Sequence, residues 1–152
     1  MNDLLRELAP ISAEAWTAIE NEAQRTLKAM LAARKLIDFV GPLGWRTSAI
    51  SLGRSDRLKT APYKGVEARL RRARPLMELR IPFELARDEL EAVGRGAADS
   101  NLESVREAAR AIALAEDKSI FHGFRDGGVV GIVASASATQ CTLNEDYTEY
   151  LG

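Results

Sequence analysis

Residues 53–75 form 23 positions with almost no continuous apolar run, and no packed core can be drawn through them. Ala61, Pro62, Tyr63 and Lys64 lead into Gly65, a turn signal. After it Val66, Ala68 and Leu70 alternate with Glu67, Arg69 and Arg71. This predicts a long charged β-hairpin projecting from the body of the protein. A two-stranded hairpin is marginal alone in water and needs something to lie against. Connections this long without a core are uncommon and are usually functional.

Charge sharpens the point. Nine basic residues (Arg54, Arg57, Lys59, Lys64, Arg69, Arg71, Arg72, Arg74 and Arg80) stand between positions 54 and 80, against Asp56, Glu67 and Glu78. The stretch carries +6 and the remainder −7, in a chain whose total is −1. Such a segment could bind nucleic acid or meet an acidic face of another copy of the chain. Only Tyr63 is available for base stacking. Pro62, Gly65 and Pro75 interrupt any helix-turn-helix geometry. An intersubunit arm accounts for the length, the charge and the poor core together. The alternative is a small nucleic-acid-binding or adaptor protein using the basic 54–80 arm.

The whole chain of 152 residues is enough for one modest domain, which would bury about 68–70% of its unfolded surface. Ser12 is a plausible N-cap after Pro10, and Trp16, Ile19, Ala23, Leu27, Met30 and Leu31 recur at helical steps. That helix is expected to stop near Arg34, with strand composition at 36–40 and a turn at 41–44. An extended segment at 45–52, a strand at 76–81 and a helix at 84–93 follow. Ser100 and Glu103 have the spacing of a capping box before a helix at 101–122. Glu116 falls in that helix's apolar stripe and should pair with an arginine, because an unpaired buried carboxylate is too costly. Residues 127–133 read as a glycine-rich entry into a short strand.

Catalytic chemistry has little to work with. One Cys cannot form an intramolecular disulfide, and one His cannot build a His-rich metal cage. His122 suits a helix C-terminus, and Cys141 belongs to no Cys-x-x-Cys or Cys/His arrangement. The adjacent acids Asp88–Glu89 and Glu116–Asp117 point about 100° apart on a helix and form no clamp. The glycines of GLGW and GGVVG match no phosphate-loop pattern. No catalytic, metal or cofactor residues are assigned. No apolar run reaches membrane-spanning length, and the N-terminus, MNDLLRELAPIS, is no signal peptide.

Taken in order, RELAPISAEAW (6–16), EAQRTLKAMLAARKLIDFVGPLGW (22–45), PLMELRIPFELARDELEAVGRG (75–96), AEDKSIFHG (115–123) and GVVGI (128–132) resemble the encapsulin shell proteins. These are also called the linocin-type bacteriocin family, and the resemblance covers essentially the whole chain. It implies an α+β fold of the HK97 phage-capsid type and a structural, non-enzymatic subunit. Copies of it would self-assemble into an icosahedral nanocompartment in the bacterial cytoplasm. The compartment would enclose cargo enzymes, often ferritin-like proteins or dye-decolourising peroxidases, held by a short terminal targeting peptide. Any oxidative or ferroxidase activity would be the cargo's.

Mapped by resemblance, 1–36 is the N-terminal arm and inward-facing helix, and 37–52 holds P-domain strand segments. Residues 53–75 are the E-loop and 76–133 the P-domain with its spine helix. Residues 134–152 are a linker and the start of a next segment. Arg34, Ile37 and Asp38 become candidate contacts for the cargo peptide. Shell proteins of this family are nearly twice as long. The A-domain and the late P-domain strands have no counterpart here, so the fold is expected to be incomplete. The chain is therefore expected to be a fragment, a split subunit whose second half is another chain, or a truncated relative.

Overall fold

The computed structural model describes residues 6–136; Cys141 and the expected segment at 139–151 lie outside them. Helix α1, Ala13–Met30, starts where the Ser12 hydroxyl accepts the Ala15 N–H at 3.2 Å, satisfying one orphan amide of the first turn. It ends earlier than the apolar spacing suggests. Leu31 turns extended, and a single 3-10 turn at Ala33–Lys35 follows. The cause lies on a distant helix. Asp117 accepts the N–H groups of Ala32 and Ala33 at 3.0 Å each, so these amides meet a carboxylate instead of extending the helical ladder. Residues 36–40, despite their strand composition, are exposed and belong to no sheet, because no described strand lies beside them.

Strands β1, Ala49–Arg57, and β2, Arg69–Pro75, pair antiparallel in the one sheet among the described residues. Ala49 stands opposite Pro75 and Arg57 opposite Arg69, so the hairpin takes in part of the segment expected at 45–52. A register shift between Ser51 and Ser55 brackets Gly53, whose φ of +67° suits a bulge that a side chain would strain. All residues of both strands are exposed. The 76–81 segment adds no third strand. Leu76 donates its N–H to the Ser48 carbonyl at 2.9 Å, and no described strand offers the next partner.

Helix α2, Arg87–Gly94, starts later than position 84, whose carbonyl instead accepts the Ser104 hydroxyl at 2.6 Å. Helix α3, Glu103–His122, begins after Leu102, whose side chain makes no capping hydrogen bond, and the capping box expected from Ser100 does not form. The Asn101 side-chain oxygen accepts the Glu103 N–H at 3.0 Å, while Glu103 pairs with Arg106 and the Ser100 hydroxyl is buried without a partner among the described residues. The strand expected within 127–133 is replaced by a single bridge, Phe124 to Val129, and the short helix α4, Ile132–Ser135. Glycine permits this: a Cβ on Gly131 would stand 2.3 Å from the Gly123 nitrogen, so the chain can turn against the end of α3.

The core lies mainly where α1 crosses α3 and is built largely of alanine: Ala15, Ala33, Ala108, Ala109 and Ala113, with Ile19, Leu31 and Val105. Small side chains let the helices approach closely but bury little apolar area. Large residues such as Leu36, Val40, Trp45 and Val130 stay exposed, more than so thin a core can cover.

Candidate functional site

Two surfaces emerge, an arm and a groove. The arm is the β1–β2 hairpin, whose strands pack against each other and against no described helix. Asp56 takes Arg72 at 2.5 Å, and Glu67 is shared by Arg69 at 2.5 Å and Arg57 at 3.3 Å. Arg72 holds the Asp56 carboxyl below its ordinary range through that hydrogen bond. Arg54, Lys59, Lys64, Arg71 and Arg74 have no acidic partner among the described residues. The hairpin therefore presents five cations without an acidic partner among the described residues, Arg54, Arg71 and Arg74 on its strands and Lys59 and Lys64 in the connection between them. The unpaired backbone of its strand edges is open to another chain.

The groove has a volume of about 460 Å³ and is walled by Phe39, Val40, Pro42, Leu43, Ile50 and Leu76, with Arg34 the only charged lining residue among the described residues. Arg34 is held from behind. Its Nε and Nη2 donate to the two Glu116 carboxylate oxygens at 2.6 and 2.7 Å, and its guanidinium stacks 4.5 Å from the Phe39 ring centre. Ile37 and Asp38 sit in the adjoining chain, exposed, but do not line the groove. Of the three candidate peptide contacts the structure brings only Arg34 to its wall. Phe39, Val40 and Leu43 were missed. Their signal was an apolar run with a turn after it and no strand to pair with.

A second ion network ties α1 to α3. Glu22 accepts from Arg25 at 2.6 Å and from Arg106 at 2.8 Å, and these hydrogen bonds bring its carboxyl down to about 2. Arg106 also pairs with Glu103. His122 is the last residue of α3. Among the described residues no group of three His, Cys, Asp or Glu could hold a metal ion, and no helix is long and apolar enough to cross a membrane.

Comparison with known proteins gives a coherent picture. The sequence model of a family described as encapsulating protein for peroxidase matches residues 1–152. A type 1 encapsulin shell protein of Rhodospirillum rubrum is 51% identical over 157 residues, covering 100% of this chain and 56% of the relative. The namesake proteins of Mycobacterium tuberculosis and Rhodococcus erythropolis are 45% and 42% identical, with 98% and 99% of this chain covered and 56% of each relative. The chain thus spans about half the length of the curated relatives it matches.

Proposed function

The chain belongs to the family of encapsulating proteins for peroxidase, the encapsulin shell proteins, and from that membership we propose that it is a structural subunit of a self-assembling compartment. Its mixed helices and small sheet are part of a capsid wall of the HK97 type. The hairpin is the E-loop and α3 the spine helix of the P-domain. The wall does no chemistry; oxidative activity belongs to the enzyme enclosed. The compartment is icosahedral and stands in the bacterial cytoplasm. The part of the relatives' length that this chain does not span supplies the A-domain, in the same polypeptide or in a second chain.

One observation carries this reading: a basic hairpin that touches no described helix of its own body. A strand pair with no core behind it is stable only when something else covers it. Five cations without an acidic partner among the described residues, in a chain otherwise acidic, match another copy of the same protein. The groove beside Arg34 faces the interior and docks a terminal segment of the enclosed enzyme, with Ile37 and Asp38 at its entrance.

Light scattering after size exclusion tests the assembly. Megadalton particles are expected, from the chain alone or once its complement is supplied. A discrete monomer or dimer at every concentration, with the complement present, overturns the proposal.

A further inference from the structure

We propose that Glu116 is the specificity-determining residue of the groove, making it accept an uncharged apolar segment and refuse one that brings a carboxylate to Arg34. The inference rests on the reading of the groove as a docking site, and it concerns what that site selects.

Glu116 does not line the groove; it acts through Arg34. A guanidinium carries five N–H donors in a planar fork. Glu116 takes one from Nε and one from Nη2, and Phe39 covers a face. The donors left over can still meet an occupant, but the charge behind them is already balanced. Asp117, the next residue, sits close by with its oxygens on the Ala32 and Ala33 amides. Around Arg34, the groove's one cation among the described residues, there are thus two anions. A carboxylate entering here gives up its hydration and finds no net positive charge in return. A backbone carbonyl loses less and still receives a hydrogen bond.

The wall depends on the same contact. No backbone N–H from 38 to 46 donates to another backbone carbonyl among the described residues, so Phe39 is held by its side chain. Its ring lies on Arg34 and, on the chain side, 3.2 Å from where a Cβ of Gly41 would stand. Glu116 fixes Arg34, and Arg34 fixes the ring.

The test is fluorescence anisotropy on the purified protein. One probe is a fluorescein-labelled peptide of the enclosed enzyme's terminal segment; the second is the same peptide with one added aspartate. The wild type should bind the parent with less than about a twofold change between about 50 and about 500 mM salt. It should bind the aspartate peptide about tenfold more weakly or worse. Glu116→Gln should shrink that discrimination to about threefold or less and make aspartate-peptide binding salt-sensitive. Glu116→Asp should restore part of it. Steep salt dependence in the wild type, or equal binding of the two peptides, overturns the proposal even if Glu116→Gln fails to fold. Unchanged discrimination in a folded Glu116→Gln protein overturns it as well. Failure of the docking reading looks different: the parent does not bind the wild type, or Val40→Asp leaves its binding intact, and the proposal then falls with it.

Discussion

Arg34 and Glu116, 82 positions apart, meet through two parallel hydrogen bonds of 2.6 and 2.7 Å. The pair closes the 3-10 turn after α1 onto the C-terminal half of α3. Its side chains are 40% and 21% exposed, so it is neither a surface pair nor a sealed one. Exposed ion pairs contribute about 0–1 kcal/mol, and hydrogen bonds to charged groups about 1.5–3. Glu116→Ala should therefore cost about 1–2 kcal/mol in urea unfolding. A double-mutant cycle with Arg34→Ala should return a coupling of about 1 kcal/mol. Strict additivity would show that the two residues act separately.

Asp117 does a different job with the same geometry. Its two oxygens accept the Ala32 and Ala33 amides, a side-chain cap supplied from 84 residues away. Asp117→Asn keeps one acceptor but turns an N–H₂ group toward a backbone N–H. The expected cost is about 1–2 kcal/mol, in line with the loss of a cap. Amide hydrogen exchange locates it: the Ala32 and Ala33 protons should exchange faster while those of the α1 interior hold.

These two contacts show where sequence reasoning reaches and where it stops. That Glu116 needs an arginine follows from a carboxylate in an apolar stripe. That the arginine is Arg34 does not, because 82 intervening residues decide it. The helices announced themselves by apolar steps of three and four. Their ends did not, since α1 is stopped by Asp117, and the first amide of α3 is met by Asn101 rather than through a Ser100 capping box. Residues 36–40 and 76–81 have strand composition and 127–133 reads as the entry into a short strand, and none becomes a strand. A ladder needs a partner strand, and among the described residues these segments find no more than the Phe124–Val129 bridge and the single Leu76–Ser48 hydrogen bond. The groove escaped notice for the same reason: its wall, Phe39 to Leu43, is an apolar run shaped by tertiary contacts alone.

Gly131 tests how tightly the chain returns onto α3. Its φ of −73° and ψ of 153° are open to any residue, so backbone strain is not the issue. The obstacle is contact: an alanine methyl here would stand 2.3 Å from both the Gly123 nitrogen and the His122 carbonyl carbon. Gly131→Ala must push two backbones apart and should destabilise by about 2 kcal/mol or more. Gly128→Ala is the informative control: it has open space around it but a φ of +67°. It should cost only about 1 kcal/mol, the penalty of a left-handed backbone. Urea unfolding of the two variants checks the order.

Acid should loosen the α1–α3 seam in a defined window. Arg25 first, and then Arg106, hold Glu22 at about 2 in the folded protein, against an ordinary 4.5. The unfolded chain therefore takes up this proton at a higher pH than the folded one. The stability Glu22 contributes is complete above about 4.5 and is lost as pH falls towards about 2. Thermal melts across that window should show Tm falling with pH. Glu22→Gln should start lower and flatten the slope. An equal slope in the variant would assign the acid sensitivity to other carboxylates.

The arm separates folding from assembly more cleanly than any point change. Its strands touch no described helix and bury no residue, so removing them takes nothing from the α1–α3 core. Replacing residues 57–72 by a glycine turn keeps the Ala49–Pro75, Ile50–Arg74 and Ser51–Ala73 pairs at the hairpin base. Helical circular dichroism should be unchanged, and unfolding should shift by about 0.5 kcal/mol at most, as for surface changes. Sedimentation should then show the loss of large particles. Charge gives the finer test. Reversing Arg54, Lys59, Lys64, Arg71 and Arg74 to glutamate keeps the strands but repels an acidic neighbour, and should block assembly as fully as the deletion. Glutamine at the same positions should only weaken it, by an amount that shrinks as salt rises, because screening already removes part of the attraction in the parent. Intact particles after the deletion would show that the shell closes without interlocking arms, and the basic hairpin would need another partner.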